Sequence, residues 1–338
     1  MDLNVVWFVL LGVLLTGYAI LDGFDLGVGI LQLVARKDEE RRIFMSSIGP
    51  LWDGNEVWLV TFGGALFAAF PECYATTFSA FYTPFMILLF ALIFRAVSME
   101  FRSKLPASLW RSTWDVAFFL SSTLAAFLFG VAVGNAMVGL PVGPDKKVAV
   151  SFLDLLRPYP LVVGLFVVAI FAMHGSIYLY LKTEGELQRR IHDWIWHTFG
   201  IFLVVYVLTT IFTLVHVPKA IENFRAYPWA WGIVVLNVLA IANIPRAVFL
   251  NQPFYAFVSS ACTIAAFNFL FGFALFPHLL TSNLGHAWSL TIYNAASSPK
   301  TLKIMLLMAG LGMPFVLAYT TLVYWVFRGK VQLGKLSY

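Results

Sequence analysis

Long apolar runs recur from one end of the chain to the other. About nine of them reach the roughly 20 residues that an α-helix needs to cross the hydrocarbon core of a bilayer. They lie at about 5–34, 52–71, 76–98, 115–140, 160–181, 194–216, 227–249, 254–278 and 303–327. Hydrophobic residues make up 60% of the 338 residues and charged residues 12%, which leaves no room for a sizeable water-soluble domain. We therefore predict an all-α polytopic membrane protein of about nine transmembrane helices.

We expect these helices to form one integral-membrane domain. Its predicted segments are a first four-helix bundle at 1–140, a second four-helix bundle at 160–278 and a last, peripheral helix at 303–327, all within a single domain of 1–338. Small residues at a spacing of four, Gly23 with Gly27 and Gly130 with Gly134, indicate places where two helix backbones approach closely.

Basic residues are concentrated in alternate connections between the apolar runs. The formal net charge is +5, and most of the 22 Lys and Arg lie after the first, third, fifth and seventh runs or in the C-terminal tail. Cytoplasmic loops of membrane proteins carry such an excess, which predicts an N-terminus outside and a C-terminus in the cytoplasm. Membrane topology thereby explains the charge, so we expect lipid around the chain and no nucleic-acid partner.

Two carboxylates lie one helical turn apart inside the first apolar run. Asp22 and Asp25 share a helix face with Tyr18 and Gly29, and the predicted topology places both acids in the cytoplasmic half of the membrane. An ionisable side chain at this depth is costly and is usually functional. We interpret the pair as part of a proton path or as an ionic contact with a partner. A helix-packing lock, in which neighbouring polar groups bind the carboxylates, is the alternative interpretation.

A second pair of acids begins the second run. Asp53 and Glu56 should reach the level of Asp22 and Asp25 because the first two helices run in opposite directions, and Arg95 closes the third run on the same side. We predict that these four acids and Arg95 form a water-fed proton entrance. For Asp53 the alternative is N-capping together with stabilisation by the helix dipole at the start of the helix. Arg95 is either an anchor at the membrane interface or a partner for the acids or for an anionic cofactor group.

The remaining polar residues give little sign of a metal site. His174 is the histidine that lies well inside a run, where it is either a haem ligand or a packed, hydrogen-bonded side chain. Cys73 and Cys262 lack the spacing of metal or disulfide frameworks. No dinucleotide or phosphate-loop motif occurs in the sequence. We predict no metal ligands and no catalytic residue in this chain, and the residues that would bind a cofactor are unknown.

Several motifs allow comparison with a known family. They are Asp22-Gly-Phe-Asp25-Leu-Gly-Val-Gly29, Glu40-Arg-Arg42, Trp52-Asp-Gly-Asn55-Glu-Val-Trp58, Phe94-Arg95, Trp110-Arg-Ser-Thr-Trp-Asp115, Gly130-Val-Ala-Val-Gly-Asn135 and Asn294-Ala-Ala-Ser-Ser298. Through them the chain resembles subunit II of the cytochrome bd-type quinol oxidases, over essentially its whole length. The resemblance implies a respiratory complex of the bacterial cytoplasmic membrane that oxidises quinol, reduces dioxygen to water and generates a proton motive force.

The resemblance also implies partners and cofactors. Two b-type haems and one haem d belong to the partner, subunit I, which also binds quinol and dioxygen, while this chain is expected to carry no haem. A structural quinone in this chain and small single-helix accessory subunits are further expectations. Asp25 and Asp53, with Asp22 beside them, are implied as the proton relay, and Trp58 and Arg95 as contacts at the haem-facing surface between subunits.

Two departures from the family pattern bear on these roles. Some members have His-Trp-Asp where this chain has Leu51-Trp52-Asp53, and some have Gln at the position of Glu56.

A second class of function, a proton- or cation-coupled secondary transporter, would also account for intramembrane acids and glycine-interrupted helices. Co-purification with a haem-bearing partner distinguishes the two classes.

Overall fold

The computed structural model describes residues 2–334, and long α-helices account for most of them. The predicted domain of 1–338 therefore extends slightly beyond the described residues at both ends. The helices are α1 (Leu3–Leu31), α2 (Asp38–Ile48), α3 (Trp52–Ala69), α4 (Pro71–Ala80), α5 (Tyr82–Arg102), α6 (Ser108–Val138), α7 (Pro158–Lys182), α8 (Gly185–His216), α9 (Glu222–Ala226), α10 (Trp231–Phe249), α11 (Pro253–Leu275) and α12 (Pro299–Val326). The all-α membrane architecture is thus confirmed.

The helix count differs from the prediction at one place. Among the described residues, eight helices are long and apolar enough to cross a membrane. The predicted second span forms α3, but Asp53, Asn55 and Glu56 occupy its first turns, and α3 is not among these eight helices. The start of the predicted run at 76–98 also differs from the structure. Residues 76–80 belong to α4, and the long helix α5 begins only at Tyr82. Whether α3 completes a set of nine spans stays a prediction.

Helix α1 lies at the centre of the molecule. It packs against α3 and α6 from the first predicted bundle and against α7 and α11 from the second. In contrast, α12 makes few contacts, chiefly with α1 and α3, so its predicted peripheral position agrees with the packing. The division into two bundles stays a prediction, since α1 joins the two halves.

Three of the four paired glycines, Gly27, Gly130 and Gly134, stand where helix backbones touch, as predicted from their spacing, whereas Gly23 meets the ring of Phe171. A Cβ atom on Gly27 would lie 2.0 Å from the carbonyl oxygen of Phe171 and 2.9 Å from the Cα of Gly175, so α1 and α7 could not approach as closely. A Cβ atom on Gly130 would lie 2.5 Å from the carbonyl oxygen of Val163. Glycine is needed at these contacts because backbone atoms, unlike flexible side chains, cannot move aside cheaply.

The end of the molecule near the N-terminus is closed by the two longest connections. Strands β1 (His278–Leu280) and β2 (Leu290–Thr291) form a small antiparallel sheet. The sequence predicted only loops here. The backbone N–H of Leu140, just after α6, donates to the carbonyl oxygen of Thr281 at 3.0 Å, so the connection after α6 is joined to the sheet region.

At the opposite end, an ion network ties α1, α2, α5 and α6 together. Buried Asp115 accepts hydrogen bonds from Arg102 at 2.7 Å, from Arg41 at 3.0 Å and from Gln32 at 2.7 Å. The same Arg102 donates to Asp38 at 2.7 Å. Partial burial raises the pKa of Asp38, but Arg102 and other nearby arginines outweigh this effect and hold it below its ordinary value. The network fixes the C-terminal end of α1 and so helps to set the position of Asp22 and Asp25 earlier in the same helix.

Candidate functional site

Arg95 lies in the centre of a buried ion cluster between α1, α3 and α5. Its side chain is fully buried, and its Nη1 donates to Oδ1 of Asp22 at 2.7 Å. Its Nη2 forms an ion pair with the carboxylate of Glu56, which is 26% exposed. Arg95 is therefore a partner for the acids rather than an anchor at the membrane interface.

Asp25 is held one turn further along α1 by an amide. Asn55 Nδ2 donates to Oδ2 of Asp25 at 2.7 Å and to the carbonyl oxygen of Leu21 at 3.3 Å. The second carboxylate oxygen of Asp25, Oδ1, is also buried, and no described residue hydrogen-bonds to it. Buried polar atoms are nearly always satisfied by protein or by ordered water, so this oxygen is suited to receiving a water molecule or a proton.

The charges of this cluster are unbalanced. Asp22, Asp25 and Glu56 bring three carboxyl groups to one guanidinium, that of Arg95. Buried charges are costly unless they are paired, and a single arginine cannot pair with three carboxylates. Arg95 pairs with Asp22 and Glu56, so Asp25 is left without a counter-charge among the described residues.

The predicted site residues do not all join this cluster. Asp22 and Glu56 form ion pairs with Arg95, and Asp25 lies one turn away, whereas Asp53 is exposed and forms no ion pair with Arg95 among the described residues. The N-capping part of the alternative for Asp53 is wrong, because α3 begins at Trp52 after Leu51 and has no side-chain cap; Asp53 nevertheless lies in the first turn of α3, where the helix dipole favours a carboxylate. Asp53 shares a helix face with Glu56, but it lies one turn nearer the start of α3 and stays exposed.

Trp58 packs against its own subunit. Its ring covers Gly17 of α1 so closely that a Cβ atom there would lie 2.3 Å from the ring. A small residue at position 17 is thus what lets α3 rest on α1. The predicted role of Trp58 in contacts between subunits stays a prediction.

Sequence reasoning missed two residues of the site. Asn55 lies between Asp53 and Glu56 in the sequence, and its side chain is almost fully buried. Tyr324 of α12 donates from its hydroxyl to Oδ1 of Asn55 at 2.9 Å. A buried amide in the first turn of a membrane helix was a usable signal for Asn55. Nothing local marked Tyr324, which lies 269 residues away in sequence.

His174 is packed and hydrogen-bonded. Its Nδ1 lies 2.7 Å from the hydroxyl of Ser260, and its Nε2 lies 3.1 Å from the carbonyl oxygen of Ile20. A carbonyl oxygen only accepts, so Nε2 carries the proton, and the other nitrogen is engaged by the hydroxyl. Because neither nitrogen offers a free lone pair, this geometry favours packing over haem ligation.

The predicted structural quinone has no evident place in the open cavity between α7, α8 and the turn that follows α10. That cavity, of about 350 Å³, is lined by Tyr180, Gln188, Arg189, His192, Asp193 and Asn251. Ligand pockets for apolar molecules are lined mainly by hydrophobic and aromatic side chains. The polar and charged lining does not fit an isoprenoid quinone.

Fold and site together define a polytopic membrane protein with a buried cluster of acids around one arginine between its helices. The sequence profile of the family described as "Cytochrome bd terminal oxidase subunit II" matches residues 3–327. The chain belongs to this family.

Curated relatives agree with the family assignment. The chain is 35% identical to "Cytochrome bd-I ubiquinol oxidase subunit 2" of Escherichia coli (strain K12) over 97% of this chain and 95% of the relative. It is 34% identical to "Cytochrome bd ubiquinol oxidase subunit 2" of Bacillus subtilis (strain 168) over 98% and 97%. A chain in the structure of bd oxidase from Geobacillus thermodenitrificans has the same fold, with a TM-score of 0.77, 19% identity and coverage of 97% of this chain and 99% of that one. The chain is thus a subunit of a terminal oxidase.

Proposed function

We propose that this chain is the haem-free subunit II of a quinol oxidase that reduces dioxygen to water. The family and the relatives support this assignment over a secondary transporter. Two b-type haems, one haem d and the quinol site belong to the partner, subunit I. When bound there, the haems supply electron transfer and oxygen reduction, and this chain supports them and delivers protons.

The observation that carries the proton-delivery role is the Arg95 cluster. Glu56 is the partly exposed member and can exchange protons with water, whereas Asp22 and Asp25 are fully buried. At about 1.5 Å per residue, Asp25 lies roughly 9 Å along α1 from its cytoplasmic end at Leu31. We propose that protons enter past exposed Asp53, pass Glu56 and Asp22, and reach Asp25. Trp58, which is partly exposed, then lies towards the haem-bearing partner, whereas Arg95 is fully buried within this chain and acts through the acids.

The topology belongs to the same proposal. With the N-terminus outside and the C-terminus in the cytoplasm, the acid cluster opens towards the cytoplasm of a bacterium. Protons consumed in oxygen reduction are then taken from the inside, which generates a proton motive force. In this arrangement α3 completes nine spans, and small accessory subunits would pack on the lipid-facing helices.

The test is Asp25→Asn, purified with the haem-bearing partner. The amide keeps the size of the side chain but cannot carry the relayed proton. We expect a normal haem spectrum and at least a roughly tenfold loss of quinol-driven oxygen uptake, a change of about 1.4 kcal/mol or more in activation free energy. Asp193→Asn is the matched control, since its side chain is 77% exposed and lies outside the cluster.

Three outcomes separate the interpretations. Loss of uptake with normal haem in Asp25→Asn alone supports the relay. Normal uptake in Asp25→Asn refutes it. Loss of haem together with activity shows instead that Asp25 holds the two subunits together, as the helix-packing interpretation requires. Failure of any haem-bearing subunit to co-purify would contradict the assignment as an oxidase subunit.

A further inference from the structure

The last helix, α12, is mostly exposed yet places one polar group in the acid cluster. Of its residues, only Leu302 is fully buried. The hydroxyl of Tyr324, close to the C-terminal end of α12, reaches Asn55 on α3. The ring of Tyr324 also meets Phe24 of α1 edge-on at 6.5 Å between centroids. One side chain of an otherwise peripheral helix is therefore built into the site.

The hydrogen bonds around Asn55 leave its amide one orientation. Both N–H groups are used, one by the carboxylate of Asp25 and one by the carbonyl oxygen of Leu21. An amide oxygen can only accept, so the hydroxyl of Tyr324 must be the donor. If this donor were absent, the oxygen of Asn55 would be buried without a partner, and turning the amide would place that oxygen against the carboxylate. Tyr324 thus fixes the orientation of the Asn55 amide, so that its N–H group and not its oxygen faces the carboxylate of Asp25.

Separate contacts hold Tyr324 at this position. Just beyond α12, the ammonium group of Lys182 in α7 binds the carbonyl oxygen of Phe327. The backbone N–H of Val331 donates to the carbonyl oxygen of Lys182 at 2.9 Å. Lys330 donates to the carbonyl oxygen of Leu181 at 2.9 Å. The segment that follows Tyr324 is therefore fixed to α7, although most of α12 is not.

We propose that Tyr324 is a positioning residue for proton transfer: through Asn55 it holds the carboxylate of Asp25 in the orientation that passes a proton on. The proposal rests on the proposed function of Asp25. It gives the peripheral helix a role in the reaction beyond anchoring the chain in the membrane.

The test compares Tyr324→Phe, Asp25→Asn and their double variant in the purified two-subunit complex. Phenylalanine keeps the ring against Phe24 and removes only the hydroxyl. Leaving a buried acceptor unsatisfied costs a free energy equivalent to about a fivefold change or more in a rate constant. We expect kcat for oxygen uptake to fall by about that factor, with an unchanged KM for quinol, a normal haem spectrum and a larger rate decrease in D2O than in the wild type. Tyr319→Phe is the matched control, as Tyr319 is 66% exposed on the same helix.

The double variant separates positioning from general support of the fold. If Tyr324 acts through Asp25, adding Tyr324→Phe to Asp25→Asn causes no further loss. An additive further loss, a changed KM, or loss of haem in Tyr324→Phe would overturn the proposal. Wild-type kcat in Tyr324→Phe while Asp25→Asn is impaired would also overturn it and would leave the relay intact. If Asp25→Asn itself is fully active, the proposed function has failed, and this inference fails with it.

Discussion

Removing the charge of Arg95 should destabilise the protein more than removing any exposed charge. Arg95→Met keeps an unbranched apolar stem but leaves the carboxylate of Asp22 buried with no counter-charge. Breaking a buried ion pair in this way costs about 3–5 kcal/mol. Loss of the ion pair with Glu56 adds less to this free-energy cost, because the Glu56 side chain is 26% exposed and can be solvated. We therefore expect the free energy of unfolding to fall by about 3–5 kcal/mol.

The assay is unfolding of the purified complex by SDS in mixed micelles, followed by tryptophan fluorescence. Arg225→Met, at an exposed arginine, is the control and should unfold like the wild type. Adding Asp22→Asn to Arg95→Met removes the stranded charge and should restore most of the lost stability. If Arg95→Met is as stable as the wild type, or if Asp22→Asn makes it worse, the ion-pair reasoning is wrong.

Two further predictions concern the fold. Gly27→Ala should lower the survival of the complex on heating, because the new Cβ would lie 2.0 Å from a backbone oxygen of α7; Gly12→Ala, with no atom within 4 Å of its new Cβ, should be neutral or slightly stabilising. The other prediction follows from Asp38, whose pKa in the folded protein lies below its ordinary value, although burial opposes this shift, because Arg102 and Arg111 stabilise its charge. Its contribution to stability is therefore complete above the unfolded pKa of about 4 and is lost as the pH falls through the lower folded value. Melting temperatures of wild type and Asp38→Asn should differ at pH 7 and converge below about pH 4, and a constant difference across this range would contradict the assignment.

The membrane helices were largely predictable from the sequence, because a helix that crosses the bilayer core must have apolar side chains along a run of about 20 residues. Their ends were less predictable. Helix α8 begins at Gly185, well before the apolar run near 194, since a polar helical turn can project from the bilayer into water. The start of α3 is also polar, but it falls at Trp52, where the predicted run begins.

The acid cluster was predictable in part. Alternating helix directions and the bias of basic residues placed Asp22, Asp25, Glu56 and Arg95 at one depth, and the ion pairs of Arg95 with Asp22 and Glu56 agree with this. Depth alone does not predict which acids reach Arg95: Asp53, one turn before Glu56 in α3, stays exposed, and its place in the proton path stays a prediction. The approach of Tyr324 depends on how α12 packs against α1 and α3, and no local pattern in the sequence encodes that packing.

The most direct test of the account is proton uptake by the two-subunit complex in proteoliposomes. A pH-sensitive dye on the side that faces the acid cluster would report protons taken up after a pulse of oxygen, for wild type and Asp25→Asn. The account predicts that uptake on this side slows by the same factor as oxygen reduction while the haem spectrum stays normal. Uptake at the wild-type rate in Asp25→Asn would contradict it and would leave this chain with a supporting role alone.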